Sequence, residues 1–303
     1  MNRPPMTIGS PAGAEAMTKA ALKGRSLWDD ARRRLFRNKA AVFSMIVLAV
    51  LVGAAIFGPE LTPHRYDTIN REDVWAKPFT GTYLFGTESL GRDLFARTLI
   101  GLRVSLAVGI VATLVSLVIG VLWGATAGFV GGRTDELMMR IVDVLYSLPF
   151  IFFVILLMVT FGRSFILIFA AIGAVEWLTM ARIVRGQTLS LKQKEFVEAA
   201  RAAGMSDGAI VRKHIVPNLL GPVVVYVTLT IPTIILAESF LSFLGLGIQE
   251  PLTSLGTLIS RGAQNMEIAP WELIFPSLTM VLTLLCFNFL GDGLRDAIDP
   301  KDR

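Results

Sequence analysis

Long apolar runs alternate with charged segments along this chain, and the pattern predicts helices that cross a membrane. Each run approaches the roughly 20 residues that a helix needs to span the apolar core of a bilayer. The runs cover residues 40–57, 104–129, 141–161, 165–183, 219–248 and 273–290. We therefore expect an all-α polytopic membrane protein with six transmembrane helices.

The segments around these runs predict the rest of the domain organisation. Residues 1–25 are rich in Pro, Gly, Ala and Thr, which is typical of a disordered tail. Residues 26–39 place apolar side chains at helical spacing among arginines, which predicts an amphipathic helix on the inner leaflet. The remaining predicted units are a first transmembrane anchor (40–58), an extracytoplasmic loop (59–101), a five-helix core (102–291) interrupted by a basic loop (184–218), and a cytoplasmic C-terminus (292–303).

The distribution of basic residues predicts the orientation. Apolar residues make up 53% of the chain and charged residues 17%, and the net charge is +5. In a membrane protein such an excess indicates basic cytoplasmic loops, and we expect no nucleic-acid partner. Most of the 29 Lys and Arg residues fall on one side of the six-span arrangement, which places both termini in the cytoplasm. The exceptions are Arg65, Arg71, Lys77, Arg92, Arg97, Arg103, Arg163 and Arg261.

Several kinds of chemistry are excluded by the sequence. No Gly precedes a Lys, so the phosphate-binding loop G-x-x-x-x-G-K-[ST] is absent and ATP must be bound by another polypeptide. His64 and His214 are far apart and neither belongs to an H-E-x-x-H motif. Cys286 is the only cysteine, so the chain cannot form an internal disulfide. We expect no catalytic residue, no metal site and no cofactor in this chain.

Four charged positions interrupt the apolar runs. Asp143 and Arg182 lie near the predicted inner ends of their spans, which favours a structural role. Glu176 lies in the same span as Arg182, and we expect it to pair with a base on the cytoplasmic side, such as Arg185. Glu238 is deep in the fifth run and has no basic neighbour in sequence, so it either lines a polar path or is a buried, hydrogen-bonded structural carboxylate.

The basic loop predicts two short helices joined by a turn. From 191 to 203 the sequence favours a helix with one apolar stripe of mostly small side chains: Phe196, Ala199, Ala200 and Ala203. Gly204 supplies a position that takes a positive φ. Ser206 is expected to cap a second short helix, which ends before Pro217. Pattern alone leaves open whether this loop docks another protein or only covers the ends of the spans.

Two motifs resemble those of a known family. Glu198, Ala199, Ala200, Gly204 and Pro217 match the coupling motif of bacterial ABC importer permeases, with His214 and Val216 where that pattern has Ile and Leu. A second set resembles the outer-loop signature of the dipeptide, oligopeptide and nickel permease group, with Glu88 where Asp is more usual. This set is Gly86, Thr87, Gly91, Arg92, Asp93, Arg97, Gly101, Arg103 and Ser105. The resemblance covers about residues 26–303 and is greatest to the C-type permeases of oligopeptide importers.

The resemblance implies a MetI-like permease fold and a role in a larger assembly in the bacterial inner membrane. The implied partners are a second homologous permease, two cytoplasmic ATPase subunits that bind Mg-ATP, an extracytoplasmic peptide-binding protein, the peptide substrate and membrane lipid. The implied ATPase-coupling residues are Glu198, Ala199, Ala200, Ala203, Gly204, Met205, Ser206 and Pro217, and Glu238 is the candidate for the translocation path. The alternatives are a permease for dipeptides, nickel or another solute, or an ion-coupled secondary transporter.

Overall fold

A computed structural model describes residues 27–162 and 165–298, with the backbone alone at 27–28 and 165–168. The described residues are predominantly helical and form no named strand. In chain order the helices are α1 (Leu27–Arg37), α2 (Lys39–Leu61), α3 (Leu94–Val130), α4 (Gly132–Ser147), α5 (Phe150–Phe161), α6 (Phe165–Lys192), α7 (Glu195–Ala202), α8 (Asp207–Ile210), α9 (Val216–Phe243), α10 (Leu255–Gln264) and α11 (Trp271–Ile298).

Four of the described helical segments are long and apolar enough to cross a membrane. These are α2, α3, the continuous segment Asp207–Phe243 and α11. The pair α4 and α5 forms a fifth candidate if it is one bent span. The remaining predicted span falls in α6, whose first side chains lie outside the described part. The all-α polytopic architecture is therefore confirmed, while the sixth span stays a prediction.

The third predicted span, 141–161, is not one straight helix. The chain bends by 82° between α4 and α5. Leu148 has an extended backbone (φ −76°, ψ 128°) and is followed by Pro149. The proline ring disfavours helical geometry in the residue before it, and this restriction ends α4. A continuous apolar run therefore contains a sharp break.

Two domain boundaries also differ from the sequence expectation. Helix α3 begins at Leu94, before the core boundary predicted at 102, because the Asp93 carboxylate accepts a hydrogen bond from the Phe95 amide (2.8 Å) and caps the helix. Helix α11 continues to Ile298, past the predicted start of the cytoplasmic C-terminus at 292. Residues 1–26, which include the predicted disordered tail, lie outside the described residues.

Helix α3 lies at the centre of the fold and packs closely along α6. Three glycines at four-residue spacing, Gly120, Gly124 and Gly128, face α6. A Cβ atom at Gly124 would lie only 2.4 Å from the carbonyl oxygen of Ala181. Small residues at this spacing let two helix backbones approach each other, and close packing is a main source of helix association in a membrane. Helices α2 and α9 also contact α3.

The two ends of the molecule can be defined from helix contacts. A Cβ atom at Gly293 in α11 would meet Ala41 and Leu35, and one at Gly221 in α9 would lie 3.3 Å from Ile298. The end of α11, the start of α9 and α1 therefore lie together, at the end that carries residues 193–206. We call this the inner end. Helix α2 runs from it to the outer end, which carries residues 62–93.

Candidate functional site

The first candidate site is the turn at the inner end, residues 193–206, which we call the inner loop. Helix α7 ends in a pattern in which the Met205 amide donates to the Ala200 carbonyl (3.1 Å) and the Gly204 amide donates to the Arg201 carbonyl (2.9 Å). This pattern requires a left-handed residue, and Gly204 has φ +78°. The expected positive φ at Gly204 is confirmed.

The apolar stripe predicted on α7 is divided between two faces. Val197 and Ala200 are buried against the inner ends of α3, α6 and α9, while Phe196, Ala199 and Ala203 are exposed. Ala200 therefore does not form part of the exposed surface of α7, and its role in coupling stays a prediction. The helix starts at Glu195 rather than 191, so its inward face is set by Val197, which the sequence reading had omitted.

The outward side of the inner loop consists mostly of small and polar residues, together with Phe196. Glu198, Ala199, Ala203, Gly204 and Ser206 are all exposed. Nothing lies within 4 Å of the position that a Cβ atom would take at Gly204. Within the described part of the chain, no hydrogen bond reaches the Glu198 carboxylate. The result is a shallow surface around the Glu198 carboxylate, which permits close approach of another protein.

The second short helix does not end at Pro217. Helix α8 passes through a π turn (Val211–Ile215) directly into α9, and Pro217 occupies the first turn of α9. A proline within a helix lacks an amide donor, and its ring clashes with the carbonyl four residues earlier. The wider π turn before Pro217 accommodates the missing hydrogen bond and the ring. Ser206 occupies the N-cap position of α8, but its side chain makes no capping hydrogen bond.

Cationic side chains attach the inner loop to α3. The Arg201 guanidinium lies 5.3 Å and the Lys192 ammonium 5.7 Å from the centre of the Phe129 ring. Cation–π contacts of this length stabilise an exposed site by about 0.5–1 kcal/mol. Phe129 is itself buried, so the Arg201 contact fixes the inner loop, and the Lys192 contact the adjoining end of α6, against the core.

Two ion pairs connect α4 to α6 near the same end. Arg185 binds both carboxylate oxygens of Asp135 (2.5 and 2.6 Å), and Arg182 donates to Asp143 (2.7 Å). The structural role expected for Asp143 and Arg182 agrees with this pairing. The expected pairing of Glu176 with Arg185 is not observed, because Asp135 occupies that arginine. Asp135 is 50 residues from Arg185, so sequence proximity gave no indication of it.

The second candidate site is a group of charged residues at the outer end, which we call the outer cluster: Glu88, Arg92, Arg97, Glu250 and Arg261. Arg92 and Arg97 are almost fully buried and both pair with Glu88. Arg92 also donates to Glu250 (2.8 Å), and Arg261 binds the same carboxylate. The outer cluster thus joins the residues before α3 to the α9–α10 connection and to α10.

The outer-loop signature matches residues that hold these elements together. The Arg103 guanidinium donates to the carbonyls of Ala55 and Ile56, each at 2.7 Å, and so fixes α2 to α3. The Ser105 hydroxyl accepts a hydrogen bond from the Leu255 amide (3.1 Å) at the start of α10. Glu250 and Arg261 are far away in sequence and were missed by motif reading.

Ionisation in the outer cluster follows from these contacts. Hydrogen bonding from Arg92 lowers the pKa of Glu250 from 4.5 to about 2, and Arg261 contributes in the same direction. Partial burial of Glu250 acts in the opposite direction but is the weaker effect. A carboxylate held between two guanidinium groups strongly favours its charged form.

Glu238 is enclosed within this chain. Its side chain is fully buried and accepts a hydrogen bond from the Ser242 hydroxyl (2.7 Å), with the Ser105 hydroxyl at 3.4 Å from its other oxygen. This environment favours the structural alternative for Glu238. A residue without solvent exposure does not line an open path in this conformation, so a path role stays a prediction that requires a rearrangement.

The fold and these two sites define a class of protein: a polytopic helical membrane component with an exposed loop at one end and an ion-paired cluster at the other. Residues 116–303 match the family described as "Binding-protein-dependent transport system inner membrane component". Residues 26–78 match "N-terminal TM domain of oligopeptide transport permease C". The chain belongs to this family of transport-system membrane components, which are not enzymes.

Relatives of known name cover nearly the whole chain. The "Oligopeptide transport system permease protein OppC" of Haemophilus influenzae is 56% identical over 96% of this chain and 94% of its own length. The protein of the same name from Bacillus subtilis is 44% identical, with 100% of both chains covered. The "Dipeptide transport system permease protein DppC" of Bacillus subtilis is 46% identical over 92% of this chain and 87% of its own.

A solved structure agrees at the level of the fold. A chain of the MetNI methionine ABC transporter, in inward-facing conformations, has a TM-score of 0.52 and 23% identity, and covers 68% of this chain and 96% of that chain. The MetI-like fold expected from the resemblance is confirmed.

Proposed function

We propose that this chain is a permease subunit of an ATP-driven oligopeptide importer. The observation that carries the proposal is the near full-length similarity, at 56% identity, to a protein named as an oligopeptide permease. In this role the chain pairs with a second homologous permease to form the path and performs no bond chemistry. Peptide is delivered by an extracytoplasmic binding protein.

The inner loop is the proposed contact with a cytoplasmic ATPase subunit. Its exposed residues, Glu198, Ala199, Ala203 and Gly204, form a shallow surface, while Val197 and Ala200 anchor it to the core. Because the anchoring residues also contact α3, α6 and α9, a displacement of the inner loop would be transmitted to three spans. Ser206 is exposed beside this surface and belongs to the proposed contact. Met205 is half-buried against the core and Pro217 lies in the first turn of α9, so we propose that these two residues couple by holding the loop in place.

In the proposed role, the assembly alternates between an inward-facing and an outward-facing state. If Mg-ATP bound to the ATPases and the loaded binding protein both favour the outward-facing state, each raises the affinity for the other. The orientation with both termini in the cytoplasm is part of this proposal, since the inner loop must face the ATPase. A second candidate substrate class is dipeptides, favoured by the 46% identity to a named dipeptide permease.

The test is uptake by the reconstituted assembly. We expect proteoliposomes that contain this chain and its partner subunits to accumulate oligopeptides when ATP and the binding protein are supplied. Dipeptides and Ni²⁺, tested in parallel, separate the substrate classes. Uptake that proceeds without ATP and follows an imposed ion gradient would instead establish an ion-coupled secondary transporter.

A further inference from the structure

The outward face of α1 carries three arginines around one phenylalanine. Arg32, Arg33 and Arg37 are exposed, and Phe36 is 62% exposed. Within the described residues, no hydrogen bond or ion pair involves these three guanidinium groups. The opposite face of α1 is occupied, because Leu35 packs at Gly293 of α11. The helix is therefore held in place and presents a basic surface that forms no ion pair within residues 27–162 and 165–298.

This surface lies at the beginning of a membrane span. Only Asn38 separates α1 from α2, and its side chain accepts hydrogen bonds from the amides of Ala40 (3.1 Å) and Ala41 (3.2 Å). Further along α2, Phe43 is 63% and Val50 is 65% exposed, as expected for side chains that face lipid. The arginines of α1 are thus at the level where the apolar core of the bilayer gives way to headgroups.

The chemistry of the face matches that of a lipid phosphate layer. The guanidinium of arginine forms two parallel hydrogen bonds with a phosphate, and it keeps its charge at any physiological pH. Helices that lie in the interface combine basic side chains, which contact headgroups, with Trp, Phe or Leu side chains that insert at the boundary of the acyl chains. On α1 both kinds of side chain are exposed. The exposed Lys39 adds a positive charge, and the exposed Asp29 removes one.

We propose that Arg32, Arg33, Phe36 and Arg37 form a binding surface for anionic phospholipid headgroups at the inner end of the molecule. Phe36 inserts beside the acyl chains, and the three guanidinium groups bind phosphates. An acidic protein surface is the competing occupant, but Phe36 and the direct continuity with the lipid-facing side of α2 favour lipid. The proposal requires only that α2 spans the membrane and does not depend on the transported substrate.

The experiment compares lipid association of the purified assembly in nanodiscs. The probe is spin-labelled phosphatidylglycerol, whose association is measured relative to spin-labelled phosphatidylcholine. We expect the preference for phosphatidylglycerol to fall in the variant Arg32→Gln/Arg33→Gln/Arg37→Gln. The expected decrease is about fivefold per arginine, since each basic residue near an anionic surface contributes about 1 kcal/mol.

Two control variants make the result specific. The exchange of the same three arginines for lysine keeps the charge and should keep most of the preference. The variant Arg65→Gln/Arg71→Gln/Lys77→Gln removes three charges at the outer end and should leave the preference unchanged. An unchanged preference in the α1 glutamine variant, or an equal loss in the outer variant, overturns the proposal. So does a glutamine variant that retains its lipid preference but loses a partner subunit, because the occupant is then protein.

Discussion

At the scale of single residues, the outer cluster places two buried guanidinium groups on one carboxylate. Glu88, Arg92 and Arg97 are each less than 5% exposed. Burial of charges is costly, and the cost is offset only while both signs remain together. The importance of Glu88 therefore comes from its partners: without it, Arg97 would lose its ion-pair partner and Arg92 would keep only Glu250.

Replacement of Glu88 by Ala is expected to destabilise the protein strongly. Loss of one partner from a buried ion pair costs about 3–5 kcal/mol, and here two arginines lose their common acceptor. Thermal unfolding in detergent is the measurement, with Glu72→Ala as the control, since Glu72 is exposed in the same outer loop. Equal melting temperatures for the two variants would contradict a structural role of the outer cluster.

The ionisation of Glu250 predicts a defined pH dependence. Its pKa falls from 4.5 to about 2 on folding, so its contribution to stability is fully present above about pH 4.5. The contribution is lost as the pH decreases from there toward 2. We expect Glu250→Gln to be less stable than the unmodified protein at pH 7 and the difference to shrink in acid. A difference that stays constant down to pH 3 would show that the charge of Glu250 is not what binds Arg92 and Arg261.

The role of Glu238, structural or path-lining, can be tested with peptides of different charge. Because it is enclosed by serine hydroxyl groups, we expect Glu238→Gln to affect acidic and basic peptides to the same extent. The measurement is ATP-dependent uptake of peptides that differ only in charge. A selective change for one sign of charge would restore the path role and would require Glu238 to become exposed during transport.

At the scale of elements, the eight residues of α7 in the inner loop are divided between a face packed on the core and an exposed face that we propose for docking. Val197 and Ala200 face the core, and Ala199 and Ala203 face outward. A test of docking must therefore alter the outward positions. An arginine at Ala200 would disrupt the packing of the loop itself and would not report on a partner.

We expect Ala199→Arg to leave the protein inserted and folded but to weaken ATPase association or uncouple ATP hydrolysis from uptake. Ala199→Ser keeps a small side chain and is the matched control. Co-purification of the ATPase and the ratio of hydrolysis to uptake are the measurements. A normal complex with normal coupling in the arginine variant would contradict the assignment of the inner loop.

Gly204 provides a second test in the same element, based on the backbone. Gly204 has φ +78°, and nothing lies near the position of its Cβ atom. The only cost of adding a side chain is therefore the strain of the left-handed backbone conformation, about 1–2 kcal/mol. Asn tolerates this conformation, whereas a β-branched residue does not. We expect Gly204→Asn to couple normally and Gly204→Val to be impaired in coupling while the melting temperature of the bundle changes little. Equal coupling in both variants would mean that the turn geometry is not required.

At the scale of the whole molecule, the proposed contact with an ATPase depends on the orientation of the chain in the membrane. The excess of Lys and Arg predicts that the inner end faces the cytoplasm. Thr82 at the outer end and Ser206 at the inner end are both exposed. The single native cysteine, Cys286, is buried, so it can be removed to give a clean background for labelling.

In a Cys286→Ala background, we expect Thr82→Cys to react with a membrane-impermeant thiol reagent on intact cells and Ser206→Cys to be protected. Permeabilised cells, in which both positions should react, are the control for accessibility. The reverse pattern on intact cells would invert the topology and remove the inner loop from any cytoplasmic ATPase.

The sequence by itself determined the membrane class, most of the helices and the position of the turn in the inner loop. These properties depend on local features: the length of an apolar run and the conformational freedom of Gly204. The family motifs also indicated the two sites, because each motif consists of residues that are close together in the chain. The break before Pro149 was missed because its effect on a continuous apolar run is steric and not visible in hydropathy.

Only the tertiary structure decided which residues share a site. Arg92 is 158 residues from Glu250, and Arg185 pairs with Asp135 rather than with the nearer Glu176. It also decided that Ala200 faces the core and that Glu238 is enclosed by serines. The physical reason is that burial and ion pairing depend on how helices pack, and that packing brings together side chains whose separation along the chain carries no information about their distance in space.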